Sequence, residues 1–362
     1  MSREVEVLQQ SISFLQQEVK PVAELIDKDS DALRKVVSRM GELDLLALKR
    51  PEKYGGPGMN ELLFRTYQEE VARVSGTLAF LTTQHQSAVS MIANGENEEL
   101  KAEYLPKMGN GERLVGIGFS QLRRSGPPIM TATPDGEGYR LNGHVPWVTG
   151  WSFYPEFLIG ATLPSGEALF AIVPFADIED GSIRNSAPMQ LASMGTALTV
   201  TTDFKDYYVA KDKVAFIKPA GWIQNSDMIN IALQGHFAIG CAMAGIDVVR
   251  DNASKKPFQF LQDAVKALES ELNELKMATA QAQRSSDEST TPERLEVRAW
   301  AIDFAVRCAH CAIAASSGAA NSVHHPAQRI YREALVFSVS AQTPPIMEAT
   351  LKRLTSRRRT GV

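Results

Sequence analysis

The sequence predicts an α+β protein in three consecutive parts: helices, then a β-sheet, then helices again. Residues 1–115 repeat apolar side chains at three- and four-residue steps, the spacing of amphipathic helices. Residues 116–222 carry short runs of β-branched and aromatic side chains between Gly, Pro and Asp, with no helix-length segment between the runs. The sheet is therefore expected to be antiparallel. Residues 223–362 return to helical spacing.

In the first part, the helical pattern has a clear start and a clear break. Ser30 is expected to cap a helix that continues through Leu33 and Val37. Residues 51–58 read Pro-Glu-Lys-Tyr-Gly-Gly-Pro-Gly, and these prolines and glycines cannot continue a helix. Helical spacing resumes at Glu61.

The strands of the second part and one seam of the third part can be placed from the pattern. The predicted strands include residues 139–143, 157–161, 169–173 and 198–202. In the third part, apolar residues alternate three- and four-residue steps, which predicts antiparallel helix packing. They are Phe258, Leu261, Val265, Leu268, Leu272 and Leu275. The seam fits either a bundle within one chain or a contact between two copies, and the spacing does not separate them.

Composition narrows the classes of function. The chain has 362 residues, of which 44% are hydrophobic and 22% charged, as expected for a globular protein with a sizeable core. The formal net charge of −4 gives no basic excess for binding nucleic acid. No apolar stretch is long enough to predict a membrane span, and the first residues do not form the apolar core of a signal peptide. We therefore expect a cytoplasmic protein that binds neither nucleic acid nor membranes.

The three cysteines fit a reducing compartment. Cys308 and Cys311 form one CxxC pair in an Ala-rich helical segment, but a zinc site needs four ligands and no second pair follows. These cysteines are expected to be small core residues, so no metal site is predicted.

An ordered series of short motifs resembles the acyl-CoA dehydrogenase superfamily across nearly the whole chain. The N-terminal part carries Pro-Glu-Lys-Tyr-Gly-Gly at 51–56 and Glu-Glu-Val-Ala-Arg at 69–73. The middle part carries Trp-Val-Thr at 147–149, and Gln-Arg-Ile-Tyr-Arg-Glu at 328–333 resembles the family's arginine–acid segment. The resemblance implies a helical N-terminal domain, a middle antiparallel β domain and a C-terminal four-helix bundle.

The resemblance also implies a flavin, FAD by the family pattern, with FMN as an alternative. Trp147 would lie beside the isoalloxazine ring and Thr149 would bond its N5 atom. Phe119 and Ser120 occupy the positions of the family's Thr-Glu strand, where Ser120 would bond the pyrimidine edge of the ring. Thr343 matches a further flavin contact. A buried tryptophan and two hydroxyl groups in an ordinary sheet are the alternative interpretation.

The base that removes a substrate proton in the family is missing. Its usual glutamate position is Ala341, and the alternative position, next to the family's arginine on the first C-terminal helix, is the pair Gly235-His236. His236 is then the candidate catalytic residue, because imidazole titrates near neutrality. A helix histidine that packs against a neighbouring helix is the competing interpretation. Ser125 and His85 are candidate substrate-binding residues.

Three functions are compatible with this pattern. The first is a flavin oxidoreductase that acts on the CH–CH bond of an acyl-CoA or a related small molecule with a non-standard base. The second is a flavin-dependent monooxygenase of the same fold, which needs no glutamate. The third is a degenerate binding or scaffold member, favoured by the absence of the family's Arg-x-x-Phe-Gly motif after Ile246. The resemblance further implies a homo-oligomer, a dimer or a tetramer, because family members complete the flavin site across subunits.

Overall fold

A computed structural model describes residues 2–284 and 287–356. The helices are α1 (Arg3–Phe14), α2 (Ala23–Ile26), α3 (Ser30–Glu42), α4 (Glu61–Val74), α5 (Gly76–Ala93), α6 (Glu98–Met108), α7 (Trp222–Ile229), α8 (His236–Lys255), α9 (Gln259–Ala282), α10 (Thr291–Ser316), α11 (Pro326–Val339) and α12 (Pro344–Thr355). The strands are β1 (Val115–Gly118), β2 (Met130–Asp135), β3 (Gly138–Thr149), β4 (Glu156–Thr162), β5 (Ala168–Pro174), β6 (Ile183–Asn185), β7 (Thr199–Ala210) and β8 (Val214–Lys218). This order of helices, sheet and helices confirms the predicted fold class.

The strands form one sheet in the order β6-β7-β3-β2-β4-β5-β8, and β1 pairs with β4. Most neighbours are antiparallel, as predicted, and the predicted strands lie within β3, β4, β5 and β7. The sheet is nevertheless mixed, because β1 runs parallel to β4 and β2 meets β4 in a single parallel pair. A purely antiparallel sheet was therefore the wrong expectation at these two places, since β1 enters from a helix and not from a hairpin.

The chain divides into two compact units that are interleaved along the sequence. The first contains the residues up to Ser11, Lys28–Phe64 and Phe80–Ser226, and the second contains Ile12–Asp27, Arg65–Ala79 and the residues from Asp227 onwards. In the first unit, the sheet packs against helices α5 and α6 through a core that includes Tyr104, Leu158 and Phe170. In the second unit, α10 is central and packs against α8, α9, α11 and α12. The three-part division at 115 and 222 stays a prediction.

The apolar seam at 258–275 belongs to the interior of the second unit. Leu261, Val265, Leu268 and Leu275 on α9 are buried in the single chain, where α9 packs against α8 and α10. The interpretation of this seam as a bundle within one chain is therefore correct for these positions. Phe258, which precedes the helix, is 49% exposed and does not share in that packing.

Two further expectations are decided by local geometry. Helix α3 begins one residue earlier than expected, with Asp29 as the N-cap: its carboxylate accepts a bond from the Asp31 amide. Ser30 is instead the first helical residue, and its hydroxyl donates to the Thr196 carbonyl. The segment 51–58 breaks the helical pattern as predicted, with a short 3-10 turn that ends at Gly55 with φ +83°.

No single helix among the described residues is long and apolar enough to cross a membrane. One bent pair of helices, Trp222–Ile229 with Leu233–Lys255, is long and apolar enough by length and composition only. Over the same residues, no group of three or more His, Cys, Asp or Glu side chains is arranged to hold a metal ion. Cys308 is buried, and burial raises the pKa values of both Cys308 and Cys311, so their thiols remain protonated at neutral pH.

Candidate functional site

Trp147 owes its position to a bulge in β3. The register with β7 pairs Val145 with Thr202 and Val148 with Val200, so β3 has one residue more than its partner over this interval. A bulge of this kind redirects a side chain that regular alternation would place elsewhere. The Trp147 indole is consequently 50% exposed, although its neighbours on both sides are buried. An exposed indole face on a rigid strand can stack against a planar ligand.

Thr149 closes the same strand and lies opposite Thr199 on β7. The two hydroxyl oxygens are 2.9 Å apart, and both side chains are buried. One hydroxyl donates to the other, so Thr149 retains a donor or an acceptor for a further partner. The backbone beside this pair is also constrained, because the amides of Gly150 and Trp151 both donate to the carbonyl of Leu198, a residue with φ +51°.

Ser120 lies in a short 3-10 turn, Ser120–Arg123, which follows β1 and packs against β3. Its hydroxyl oxygen is buried and has no hydrogen-bond partner in the structure. Phe119 precedes it and contacts Phe170 edge-on, with ring centroids 5.6 Å apart. Because a buried hydroxyl without a partner is costly, the Ser120 side chain is suited to a ligand atom that would complete it.

The two predicted substrate residues differ in their surroundings. Ser125 is exposed, in the segment between the 3-10 turn and β2. His85 is buried, and both of its ring nitrogens are used: Nδ1 accepts from the Val115 amide at 3.0 Å, and Nε2 donates to the Met108 carbonyl at 2.9 Å. Burial also lowers the pKa of His85. The histidine therefore ties the end of α6 to β1 as a neutral imidazole and leaves no ring nitrogen for a substrate.

His236 lies in the second unit, at the first residue of α8. Its Nδ1 is 2.7 Å from Oε1 of Glu69, and its Nε2 is 2.6 Å from Nε2 of Gln283. The second oxygen of Glu69 accepts from Lys276 at 2.7 Å. Burial tends to raise the pKa of Glu69, but the bonds from His236 and Lys276 hold it below the usual value. This arrangement fixes the imidazole with Nδ1–H facing Glu69, so Nε2 is the nitrogen available for proton chemistry once Gln283 moves aside.

The loop after α11 contains Ala341, the expected position of the base. Ala341 is exposed and adopts φ +49°, the left-handed region that disfavours a Cβ atom. Thr343 is the N-cap residue of α12, and its side chain makes no capping bond. The segment 340–343 reads Ser-Ala-Gln-Thr and contains no carboxylate side chain.

Arg298 is hydrogen-bonded to the backbone of that loop. This arginine on α10 is 1% exposed and donates to the carbonyl of Ser340 at 2.9 Å. It also donates to the carbonyl of Gln234, two residues before His236. Sequence reasoning did not single out Arg298. A signal was present, because Arg294 and Arg298 share one helical face with Ala301 and Ile302, and a cation within an apolar stripe predicts a buried charge.

The arginine–acid segment near the C-terminus forms a buried ion cluster. Arg329 donates to both oxygens of Glu333, each at 3.0 Å, and to Glu24 at 2.8 Å. Glu333 is fully buried and also accepts from the Gly76 amide at 2.9 Å. The cluster joins α11, α2 and the start of α5 within the second unit, which is a structural role.

Known proteins resemble this chain in sequence. Residues 2–112 match the family model described as acyl-CoA dehydrogenase, N-terminal domain. Over 356 residues the chain is 22% identical to a 3-(aryl)acrylate reductase of Clostridium sporogenes, covering 93% of this chain and 94% of that protein. It is 23% identical over 361 residues to the rat short-chain specific acyl-CoA dehydrogenase, covering 93% and 86%. These matches support membership of the acyl-CoA dehydrogenase superfamily.

Solved structures of this superfamily share the fold. A glutaryl-CoA dehydrogenase of Mycobacterium smegmatis in complex with FADH2 superposes with a TM-score of 0.81 at 14% identity, covering all of this chain and 96% of that one. A glutaryl-CoA dehydrogenase in complex with glutaryl-CoA gives 0.80 at 20% identity, with 98% and 95% covered. The relatives are oxidoreductases, and this supports an oxidoreductase function for the chain at the level of the family.

The residues of the first unit fit a flavin by their chemistry. The unpaired Ser120 hydroxyl supplies a polar atom for the edge of a planar ring, and the exposed Trp147 supplies an apolar face. Thr149 supplies a second hydroxyl at the end of the same strand. The roles of these residues, and of Thr343 in the second unit, stay predictions.

Proposed function

We propose that the protein is a flavin-dependent oxidoreductase that binds FAD and acts on the α,β-carbon pair of an acyl compound. The observation that carries the proposal is the orphaned hydroxyl of Ser120 beside the strand that presents Trp147 and Thr149. FAD, when bound, supplies the hydride chemistry that no side chain can provide. The reductase and the dehydrogenases among the relatives support this reaction class.

The flavin proposal has a direct test on the purified protein. We expect it to bind FAD, seen by absorbance in the flavin range and by quenching of flavin fluorescence in a titration. Trp147→Ala should weaken binding about tenfold or more, because an aromatic stacking face is lost. The matched control is Tyr208→Ala, which removes another exposed aromatic of the same sheet. Failure to bind either FAD or FMN would overturn the proposal and leave the scaffold function.

Proton transfer in such a reaction needs a group other than the usual carboxylate. Ala341 has no proton acceptor, and His236 is the candidate in its place. Glu69 would hold the His236 ring and Gln283 would have to release Nε2. We expect His236→Asn to abolish turnover that Gln283→Ala keeps. Turnover unaffected by His236→Asn would remove the histidine from the chemistry.

The monooxygenase of the same fold is the second candidate, and the lack of a carboxylate on residues 340–343 favours it. Two assays on the flavin-loaded protein separate the candidates. Electron release to a dye on addition of an acyl-CoA supports the dehydrogenase, and oxygen consumption with reduced flavin and an organic acceptor supports the monooxygenase. Gain of acyl-CoA oxidation by Ala341→Glu, with Ala341→Gln as its uncharged control, would support the position assigned to the base.

We further propose a homo-oligomer in the cytoplasm. Exposed apolar side chains recur at helical spacing on α11 and α12, each between 41% and 56% exposed; they are Tyr331, Leu335, Val339, Met347, Leu351 and Leu354. Rows of this kind suit a protein interface. The molecular mass from light scattering should be that of a dimer or a tetramer. The double change Leu335→Glu with Leu351→Glu should dissociate it to a monomer. Met277→Glu on α9 is the exposed control, and equal dissociation by all variants would count against this surface.

A further inference from the structure

Arg298 is a buried cation without a counter-ion among the described residues. Its side chain is 1% exposed, its Nε has no hydrogen-bond partner, and its two bonds go to the carbonyls of Gln234 and Ser340. Burial alone lowers its pKa to about 10, and no carboxylate opposes that effect. Arg298 thus remains charged at neutral pH, and an uncompensated buried charge is expensive unless something pairs with it.

Other buried arginines of the same unit show what compensation looks like. Arg329 meets two carboxylates, Glu333 and Glu24. Arg294 lies one turn before Arg298 on α10, is equally buried and also has an unpaired Nε. Arg294 nevertheless lies close enough to Asp287 to contribute to lowering the pKa of that carboxyl. Arg298 therefore differs from its neighbours in the lack of an acid, not in burial.

Arg298, which lacks an acidic partner among the described residues, is bonded to two segments that contain candidate site positions. Its two carbonyl partners lie beside the two positions that the sequence resemblance assigns to the base: Gln234 precedes Gly235-His236, and Ser340 precedes Ala341. Neither position carries an acid in this chain. The free Nε–H therefore belongs to a guanidinium that is bonded to two segments, neither of which provides a carboxylate to it.

We propose that Arg298 recognises a carboxylate group on the ligand of this protein. The inference rests on the proposed function, because it names the charge class of that substrate. A planar guanidinium with unused N–H groups matches a carboxylate in geometry and charge.

The segment 340–343 offers the route. Ala341 is exposed while the carbonyl of the preceding Ser340 bonds to Arg298, so the guanidinium lies one residue beneath the surface. The positive φ of Ala341 shows that this turn is held in an unfavourable conformation. Movement of this turn would free an Nη–H of Arg298 next to the unbonded Nε–H. A carboxylate could then accept one hydrogen bond from each of these two groups.

The test measures binding of defined probes to the full chain. The probes are 3-phenylpropanoate and its neutral analogue 3-phenylpropanamide, at constant ionic strength with chloride as the background anion. Affinity is read from the ligand-dependent shift in thermal unfolding of each variant against its own ligand-free baseline. We expect the carboxylate to bind the wild type and the amide to bind at least tenfold more weakly, as expected for loss of a charge-assisted hydrogen bond.

Arg298→Met should reduce carboxylate affinity by about tenfold to a hundredfold. Arg294→Met, the matched control on the same helix face, should leave it within about twofold. If Arg298→Met does not fold, Arg298→Lys and Arg294→Lys carry the same comparison, because lysine keeps the charge but loses the planar pair of donors.

Three results would overturn the assignment: no shift with the carboxylate, equal shifts with carboxylate and amide, or equal loss in the Arg298 and Arg294 variants. Flavin binding is measured on the same samples. Flavin uptake without a carboxylate effect would refute the role of Arg298 alone, whereas absence of flavin uptake would refute the proposed function.

Discussion

Replacing Gly76 by alanine tests the packing of the buried ion cluster. A Cβ atom at Gly76 would lie 2.7 Å from Cδ and 2.8 Å from Cγ of Glu333, distances at which the side chain must shift. The shift would remove the bond from the Gly76 amide to a charged acceptor, which contributes about 1.5–3 kcal/mol. The better helix propensity of alanine offsets up to about 1 kcal/mol. With the full offset applied, we therefore expect a net loss of about 0.5–2 kcal/mol in the free energy of unfolding.

The assay is urea denaturation followed by circular dichroism, with Gly318→Ala as the control because a Cβ there meets no atom within 4 Å. A second arm places Gly76→Ala in a Glu333→Ala background. If the clash with Glu333 is the cause, the alanine at 76 should then cost less than about 0.5 kcal/mol, because contacting residues are not additive. A loss below about 0.5 kcal/mol in the wild-type background, or the same loss in both backgrounds, would refute the reasoning.

Two further changes test one unit each. Burial would raise the pKa of Asp247, but two bonds from Arg73 hold it below the usual 3.8. Its ionic stabilisation is therefore present above that value and lost as the pH falls through the lower folded-state pKa. We expect Asp247→Asn to lower the free energy of unfolding at pH 7, measured by urea titration. The variant should also lose less of that free energy than the wild type as the pH falls below about 4; an equal pH dependence in both proteins would contradict this. In the sheet, Gly143 has φ +132°, and a Cβ would lie 2.1 Å from the Ile129 carbonyl oxygen. Gly143→Ala should lower the free energy of unfolding by at least about 2 kcal/mol, followed by tryptophan fluorescence. The control is Gly136→Ala, whose Cβ meets open space and which should cost about 1 kcal/mol. Equal losses would show that the close approach to Ile129 is unimportant.

The strands and the long helices were predictable because local pattern decides them. Residues 157–161 and 169–173 lie within β4 and β5, which pair antiparallel as a hairpin would. The parallel pairing of β1 with β4 could not be read in the same way. It joins segments about forty residues apart in sequence, and no turn residue or periodicity records such a contact.

The candidate site shows the same division between local and tertiary information. The family resemblance suggested Trp147 as a ligand contact, and the bulge that exposes it is visible only in the register with β7. Residue type also suggested His85, whose two ring nitrogens are satisfied by backbone groups brought together by tertiary packing. A histidine in a helix carries no sequence mark that separates these outcomes.

The loop at Ala341 connects the missing base with the charge at Arg298. A non-glycine residue in the left-handed region costs on the order of 1 kcal/mol and persists only where its surroundings hold it. The carbonyl of the preceding Ser340 accepts a hydrogen bond from Arg298. In a chain with glutamate at 341, negative charge would belong to the protein. With alanine there and a buried guanidinium beneath, the negative charge is supplied by the ligand, and the loop serves to admit it.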